Sequence, residues 1–274
     1  MSCRKIVMVL SLITLIACSD DDASAPPASG IVSFSDGFET SSGELNDLFG
    51  PERWSNFQQV SPAGATNAVN LATSQQRSGE YSLYLEASPS SAPVSKMGIE
   101  KGGFEFFNKE AIEISAWFYV EGNENLQNLT LIDLECCQCW DPDVPDNQCP
   151  GVRLQMSGGN DYLVIERGKI GLNSISQSTT RFPRDKWVNI RWILDLSDEA
   201  DGLSQLYINE QLVIEELGIN MPNQEIFGSI FAQENIDFQL QTPLFYERVQ
   251  FGITANSTGN PVRLYLDDVQ INSL

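Results

Sequence analysis

Alternation of apolar and polar side chains is the feature that most limits the fold of this sequence. Residues 112–120, 187–194 and 262–266 alternate in this way, and residues 82–86 do so over a shorter stretch. A period of two in segments rich in β-branched and aromatic residues is typical of strands that bury one face. Glycine- and asparagine-containing turn sequences separate these segments. The pattern therefore predicts half-buried antiparallel strands.

The rest of the chain agrees with an all-β class. No long helical stripe is present, and only residues 221–235 favour a short helix. All-β sandwiches of roughly 200–250 residues are commonly single domains. We therefore predict an antiparallel two-sheet jelly-roll sandwich formed by one domain, residues 31–274.

The N-terminus has the features of an export signal. Arg4 and Lys5 precede an apolar run at residues 6–17 that is too short to span a bilayer as a helix. The run ends at Cys18 and resembles the lipobox of bacterial lipoproteins. This resemblance implies that residues 1–17 are a signal peptide and that Cys18 carries the lipid. The alternative is an ordinary signal peptide followed by a chance cysteine.

Residues 18–30 are polar and rich in Ala, Ser and Pro, which predicts a flexible linker. The segment 19–22 resembles the export signal of Bacteroidetes lipoproteins. That resemblance implies a lipid-anchored protein on the outer face of the outer membrane. A simple hydrated tether is the alternative interpretation.

Charge and composition restrict the function. The chain has 16 Lys and Arg against 37 Asp and Glu, a formal net charge of −21, and no histidine. Nucleic acid is an unsuitable partner because such a chain has no basic surface to offset phosphate charge. A polyanionic glycan requires a local cationic groove. The lack of histidine removes the commonest general base and the Ser-His-Asp arrangement.

Four cysteines, Cys136, Cys137, Cys139 and Cys149, are clustered within one segment. Outside the cytoplasm such a set predicts disulfides. The neighbours Cys136 and Cys137 are poorly placed to bridge each other, so we expect each to pair with Cys139 or Cys149. Zinc is the alternative ligand.

Several segments carry a family resemblance. Residues 182–190, then 201–209 and 211–213, resemble the laminin-G and concanavalin A-like pattern, although Glu210 stands where that pattern has glycine. Further short segments resemble carbohydrate-binding jelly rolls: 36–39, 77–83 and 265–269. The resemblance implies a concanavalin A-like fold in a surface lipoprotein similar to carbohydrate-binding modules and polysaccharide lyases.

The same resemblance implies one structural calcium ion. The first and last strands of these jelly rolls lie side by side, so Glu39 and Asp268 would meet on a hard cation, assisted by Asp36 and Asp267. The alternative is a set of exposed turn acids.

No complete catalytic motif is present. Asp133 and Glu135 match the last two acids of laminarinase-like enzymes, but Leu131 replaces the nucleophile. In the strand that resembles alginate lyases, Gln250 and Thr254 stand at the lysine and tyrosine positions. We therefore predict no catalytic residues of these two types, while lyases that use other Tyr and Arg pairs remain an alternative.

Sugar rings bind to exposed aromatic faces flanked by polar groups. Trp140, in the cysteine-rich loop, and Trp54 are the aromatic candidates. Arg153, Tyr162 and Arg167 are candidates for an anionic sugar, because Arg pairs bidentately with carboxylates. Trp140 could instead cap the disulfides. We expect the remaining tryptophans to lie in the core: Trp117, Trp187 and Trp192.

Together these features predict a non-catalytic, polysaccharide-binding surface lipoprotein that works with polysaccharide-utilisation partner proteins. A polysaccharide lyase is the first alternative. A structural or adhesion protein without a sugar ligand is the second.

Overall fold

The computed structural model describes residues 32–62, 64–89, 94–126, 128–145, 148–157, 159–256 and 259–274. The predicted signal peptide and the whole of the predicted linker, including Cys18, lie outside the described residues. Within the described ranges, no helix is long and apolar enough to cross a membrane.

Within these described ranges, fifteen strands form two antiparallel sheets. They are β1 (Ser33–Asp36), β2 (Asn56–Val60), β3 (Ala68–Ala72), β4 (Ser82–Ala87), β5 (Ser95–Phe107), β6 (Ala111–Val120), β7 (Leu129–Glu135), β8 (Gly151–Ser157), β9 (Tyr162–Glu166), β10 (Ile175–Arg181), β11 (Val188–Asp195), β12 (Leu203–Ile208), β13 (Gln211–Leu217), β14 (Phe245–Asn256) and β15 (Val262–Ser273). The 8-stranded sheet has the order β13-β12-β11-β6-β15-β4-β3, and β1 also pairs with β15. The 7-stranded sheet has the order β10-β9-β8-β7-β14-β5-β2.

The alternating segments form the predicted strands. In β6, the even-numbered residues from Ile112 to Val120 are fully buried in the core, whereas Glu113, Trp117 and Tyr119 remain partly exposed on the other side. Trp192 of β11 is fully buried in the same core. The inward-facing residues of the two sheets form one apolar cluster between the layers. This arrangement confirms the predicted all-β, two-sheet jelly-roll sandwich.

The expectation for three other tryptophans was wrong. Trp117, on the outward side of β6, and Trp187, which directly precedes β11, are only half-buried. Trp54 was predicted to bind sugar, but it is fully buried, with its ring stacked on Phe38 and edge-on to Phe34. A sugar cannot reach a ring that is enclosed in this way.

The short helix is confirmed as α1 (Gln224–Ala232), within the predicted range. The side chain of Asn223 caps its first turn by accepting from the Ile226 N–H. One face of α1 packs on the cysteine-rich loop in a second apolar cluster that contains Trp140, Phe227 and Phe238.

The chain ends meet as the resemblance implied, because β1 pairs antiparallel with the end of β15. The β12–β13 hairpin keeps a two-residue turn despite the missing glycine. Asn209 and Glu210 both have positive φ, at 47° and 67°. Two residues with positive φ are typical of the type I′ turn. The substitution thus leaves the turn in place, with glutamate in a conformation that favours glycine.

Candidate functional site

The outward side of the 7-stranded sheet carries a cluster of opposite charges, which we call the charged face. Its members are Lys96, Glu100, Asp133, Glu135, Arg153, Glu166, Lys169 and Arg248. They comprise four cations and four carboxylates, in contrast to the large acidic excess of the whole chain.

Strand register brings these residues together. Asp133 of β7 lies opposite Gln250 of β14 on one side and Arg153 of β8 on the other, and Glu135 lies opposite Arg248. Because cross-strand neighbours have adjacent side chains, the register produces opposite-charge pairs. Lys169 arrives from a 3-10 helix, Gly168–Ile170, that follows β9. The sheet and this helix together assemble the cluster.

Glu135 lies at the centre of the cluster. Its Oε2 accepts from Arg248 Nε at 2.8 Å and from Gln250 Nε2 at 2.6 Å. Lys169 Nζ donates to its Oε1. The Glu135 residue is only 4% exposed. Such a carboxylate is stabilised by these charge-assisted hydrogen bonds, which offset the cost of removing it from water.

Asp133 and Glu100 extend the cluster on either side. Asp133 accepts from Arg153 Nε at 3.1 Å and from Lys169 Nζ at 3.2 Å. Glu100, on β5, accepts from Gln58 at 2.7 Å. The network therefore runs without a break across five strands, from β2 to β8.

Lys96 differs from the other cations. It lies on β5 in the same outward phase as Glu100 and makes no ion pair within 4.0 Å among the described residues. Burial lowers its pKa, while the charges of Asp133 and Glu135 act in the opposite direction. A desolvated lysine without a carboxylate partner is available to a bound anion, and its lowered pKa suits proton transfer.

A cavity of about 570 Å³ opens beside the network. One side is polar and includes Arg153, Gln155 and Lys169. The other side is apolar and includes Trp140 and α1 residues such as Phe231. Polar groups converging on a partly apolar pocket are typical of a ligand site.

The predicted sugar-binding residues divide into two groups. Arg153 and Trp140 line the cavity, and Tyr162 lies on the same outward side of β9 as Glu166. Arg167 is 2% exposed, and its Nη1 pairs with Glu216 of the other sheet at 3.0 Å. The prediction for Arg167 was therefore wrong, because this guanidinium is enclosed between the edges of the two sheets.

Trp140 contributes differently from what was predicted. It is 8% exposed, and its indole N–H donates to the Val144 carbonyl at 3.0 Å. Phe227, Phe231 and Phe238 surround its ring. Little of the ring remains for a sugar, so its main contact is with α1, which it holds against the cavity.

The cysteines form the bridges Cys136–Cys139 and Cys137–Cys149. These pairs confirm the prediction that Cys136 and Cys137 each bond to one of the other two. All four sulfurs are therefore used in bridges, which favours the disulfide interpretation over the zinc alternative. Arg248 Nη2 lies 3.3 Å from Cys149 Sγ, so the second bridge is continuous with the charged face.

The three residues that depart from the enzyme motifs make structural contacts. Leu131 is buried in the core and cannot take part in chemistry. Thr254 is 1% exposed and donates to the Thr130 carbonyl at 3.3 Å, and Gln250 donates to Glu135. None of the three supplies the acid, base or nucleophile of those motifs.

The proposed calcium ligands lie at the chain ends. Glu39 accepts from the N–H groups of Glu80 and Tyr81, and Asp268 accepts from the Ser78 hydroxyl at 2.7 Å. Both carboxylates therefore meet the same loop. Neighbouring Asp267 is fully buried, and burial raises its pKa to about 6.

Several residues of the charged face were not identified as a site from the sequence. Lys96 and Glu100 alternate with core residues of β5, so the sequence could predict that they share a face. It could not predict which residues of other strands lie beside them. Lys169 lies in a short 3-10 helix without a periodic pattern. Only the fold shows that it reaches Asp133 and Glu135.

No protein-family model and no curated protein matches this chain. Solved structures do. An endo-β-1,4-glucuronan lyase from the fungus Trichoderma reesei aligns with a TM-score of 0.62 at 11% identity, covering 88% of this chain and 95% of that chain. The cellulose-induced protein Cip1 aligns with a TM-score of 0.54 at 14% identity, covering 87% and 96%. At these identities, the likeness establishes that the chain shares the β-sandwich fold of polysaccharide lyases and related proteins.

Proposed function

We propose that the charged face binds a polysaccharide that contains acidic sugars. The observation that supports this most strongly is the convergence of four cations on one face of a chain with a formal net charge of −21. Lys96 has no carboxylate partner within 4.0 Å among the described residues, and Arg153 lines the adjoining cavity. The face as a whole is balanced in charge, and these two cations are the groups that an anionic glycan would contact.

The similar structures support a polysaccharide ligand, and the first supports an acidic one. One is named as a lyase of glucuronan and the other as a protein induced by cellulose. Since fold alone does not decide function, the proposal depends on the charged face.

Affinity electrophoresis tests the proposal. The purified protein is run through gels that contain neutral or uronic acid polysaccharides, including glucuronan, with bovine serum albumin as the non-binding reference. We expect retardation in uronic acid gels that weakens with added salt. An unchanged mobility in every gel would exclude the proposal.

A lyase is the second candidate, and Lys96 favours it. In this reaction a base removes the proton on the carbon next to the sugar carboxylate, a carbon–carbon double bond forms, and the glycosidic carbon–oxygen bond breaks. The leaving oxygen then takes up a proton. Lys96, with its lowered pKa, would be the base, and Arg153 would hold the carboxylate.

Ultraviolet absorbance distinguishes the two candidates. A lyase releases an unsaturated uronate that absorbs, and Lys96→Gln would abolish the signal without unfolding the protein. A glucuronan solution that gains no absorbance, although the protein is retarded in the matching gel, would favour binding without catalysis.

We also propose that Cys18 anchors the protein to the outer membrane, facing the cell exterior. The apolar run before Cys18 and the acidic residues after it support this location. We expect radioactive palmitate to label the wild type but not Cys18→Ser. We also expect protease added to intact cells to digest the wild-type protein, because it faces the cell exterior. Equal labelling of both chains would contradict the anchor.

A structural calcium ion between the chain ends is a further part of this proposal. Glu39, Asp268 and the buried Asp267 provide carboxylate oxygens of the kind that calcium prefers. A cation would also lower the raised pKa of Asp267. We expect EDTA to lower the melting temperature and calcium to restore it; an unchanged melting temperature in EDTA would rule out this ion.

A further inference from the structure

The cavity beside the charged face has an apolar side that a plain sugar does not explain. Trp140 and Phe227 belong to this side but are only 8% and 5% exposed, so they mainly support it. The surface that meets a ligand comes from Ile230 of α1, which is 39% exposed, together with the partly exposed Phe231.

Aliphatic side chains are poor partners for a sugar hydroxyl. They offer neither the flat aromatic face on which sugar rings stack nor a hydrogen bond. A hydroxyl placed against Ile230 would give up its bonds to water without replacement, which is unfavourable. An apolar substituent that replaces the hydroxyl hydrogen removes this penalty and gains contact area.

The position of Ile230 is fixed by the neighbouring backbone. A Cβ added to Gly171 would lie 2.7 Å from Ile230 Cδ1 and 2.7 Å from Ile226 Cγ2. Gly171 therefore allows α1 to pack closely on the segment that follows Lys169. This contact fixes the distance between the apolar side of the cavity and its polar side.

We infer that the cavity binds an O-acetylated sugar unit of the acidic polysaccharide. The acetyl methyl packs on Ile230 and Phe231, while Arg153 and Gln155 meet the polar atoms of the same unit. The guanidinium of Arg153 favours an acetylated acidic glycan over a lipid chain. This inference rests on the proposed function and names the substituent that the site selects.

The test compares one polymer in two states. Chemically O-acetylated β-1,4-glucuronan and the same sample after alkaline deacetylation are titrated against the wild-type protein. We expect the acetylated polymer to bind about fourfold more tightly, which corresponds to the burial of one methyl group. Ile230→Thr should remove this preference.

Leu212→Thr is the matched control. Leu212 is 40% exposed, similar to Ile230, but lies on β13 of the other sheet. The Leu212→Thr protein should keep the preference for the acetylated polymer. Equal binding of the two polymers by the wild type, or a preference that survives Ile230→Thr, would overturn the inference and leave polysaccharide binding intact. Binding of neither polymer, with no retardation in any gel, would exclude both this inference and the proposed function.

Discussion

The outward sides of the two sheets bury different kinds of side chain. On the charged face, Glu135 and Lys169 pair with side-chain exposures of 6% and 8%. On the 8-stranded sheet, the pair of Glu113 and Arg191 keeps exposures of 21% and 33%. Half-buried rings dominate that second surface, which we call the aromatic face: Tyr84, Trp117, Tyr119, Trp187 and Tyr265.

This difference supports the proposal that the charged face binds the ligand. Removing ions from water is costly, and a sandwich can be stabilised without a buried charge network. Half-exposed rings and ion pairs on the aromatic face carry no comparable cost. The charged face therefore has the features of a site whose geometry is retained for a ligand.

The largest expected effect is on the buried network. Glu135→Gln would leave Lys169 and Arg248 without their shared carboxylate charge, and we expect the free energy of unfolding to fall by about 3–5 kcal/mol. Glu113→Gln on the aromatic face should cost less than about 1 kcal/mol, because its partner is exposed. Urea denaturation measures both. Equal losses would remove the distinction between the faces.

The disulfide beside the charged face gives the next effect. Cys137→Ser combined with Cys149→Ser should lower the free energy of unfolding by about 2–4 kcal/mol, because the unfolded chain gains freedom. The same change releases the loop that carries Trp140 and the contact of Arg248 with Cys149. Retention on an acidic polysaccharide gel should weaken with it; full retention would show that the loop does not position the site.

In contrast to the two changes above, replacing Lys96 should increase the stability of the protein. Because burial lowers its pKa, the folded state binds this proton less tightly than the unfolded chain does. The lysine therefore costs stability at neutral pH, and that cost declines as the pH rises toward the ordinary lysine value. Lys96→Met should raise the melting temperature by a few degrees, about 2–4 °C per kcal/mol for a domain of this size, and weaken polysaccharide retention.

Lys186→Met, at an exposed position before β11, is the control for this change. It should alter neither the melting temperature nor retention. A Lys96→Met protein that is less stable than the wild type would show that the lysine stabilises the fold.

The smallest effect concerns the aromatic face. Arg77 lies over the ring of Trp117, with its guanidinium carbon 4.2 Å from the ring centroid. Trp117→Ala should lose about 1 kcal/mol from this contact, as estimated from urea denaturation. Retention on the polysaccharide gel should stay unchanged. A loss of retention would assign ligand binding to the aromatic face instead of the charged face.

The fold could be predicted largely from the sequence, because a period of two directly marks strands that bury one side. The same pattern failed at Trp117 and Trp187, where aromatic residues occupy the outward phase. At Trp54 no periodic pattern showed that Phe34 and Phe38 would enclose the ring.

The site was harder to predict, because it depends on contacts between strands far apart in sequence. Arg153 was identified as a binding candidate from its chemistry. The spacing of the cysteines predicted two possible partners for each of Cys136 and Cys137. Arg248 meets Glu135 only because β14 pairs with β7, and Lys169 reaches the same carboxylate from a helix of three residues. Arg167 has similar chemistry to Arg153, yet its position between the sheets excludes a ligand.

One experiment tests the central claim, that the charged face binds acidic polysaccharide, most directly. Arg153→Met and Arg191→Met remove similarly exposed arginines, 27% and 33% of their side chains, from the two faces. In affinity electrophoresis against glucuronan, we predict that Arg153→Met loses most of the retardation and that Arg191→Met keeps it. Retention by Arg153→Met together with loss in Arg191→Met would contradict the account and assign binding to the aromatic face.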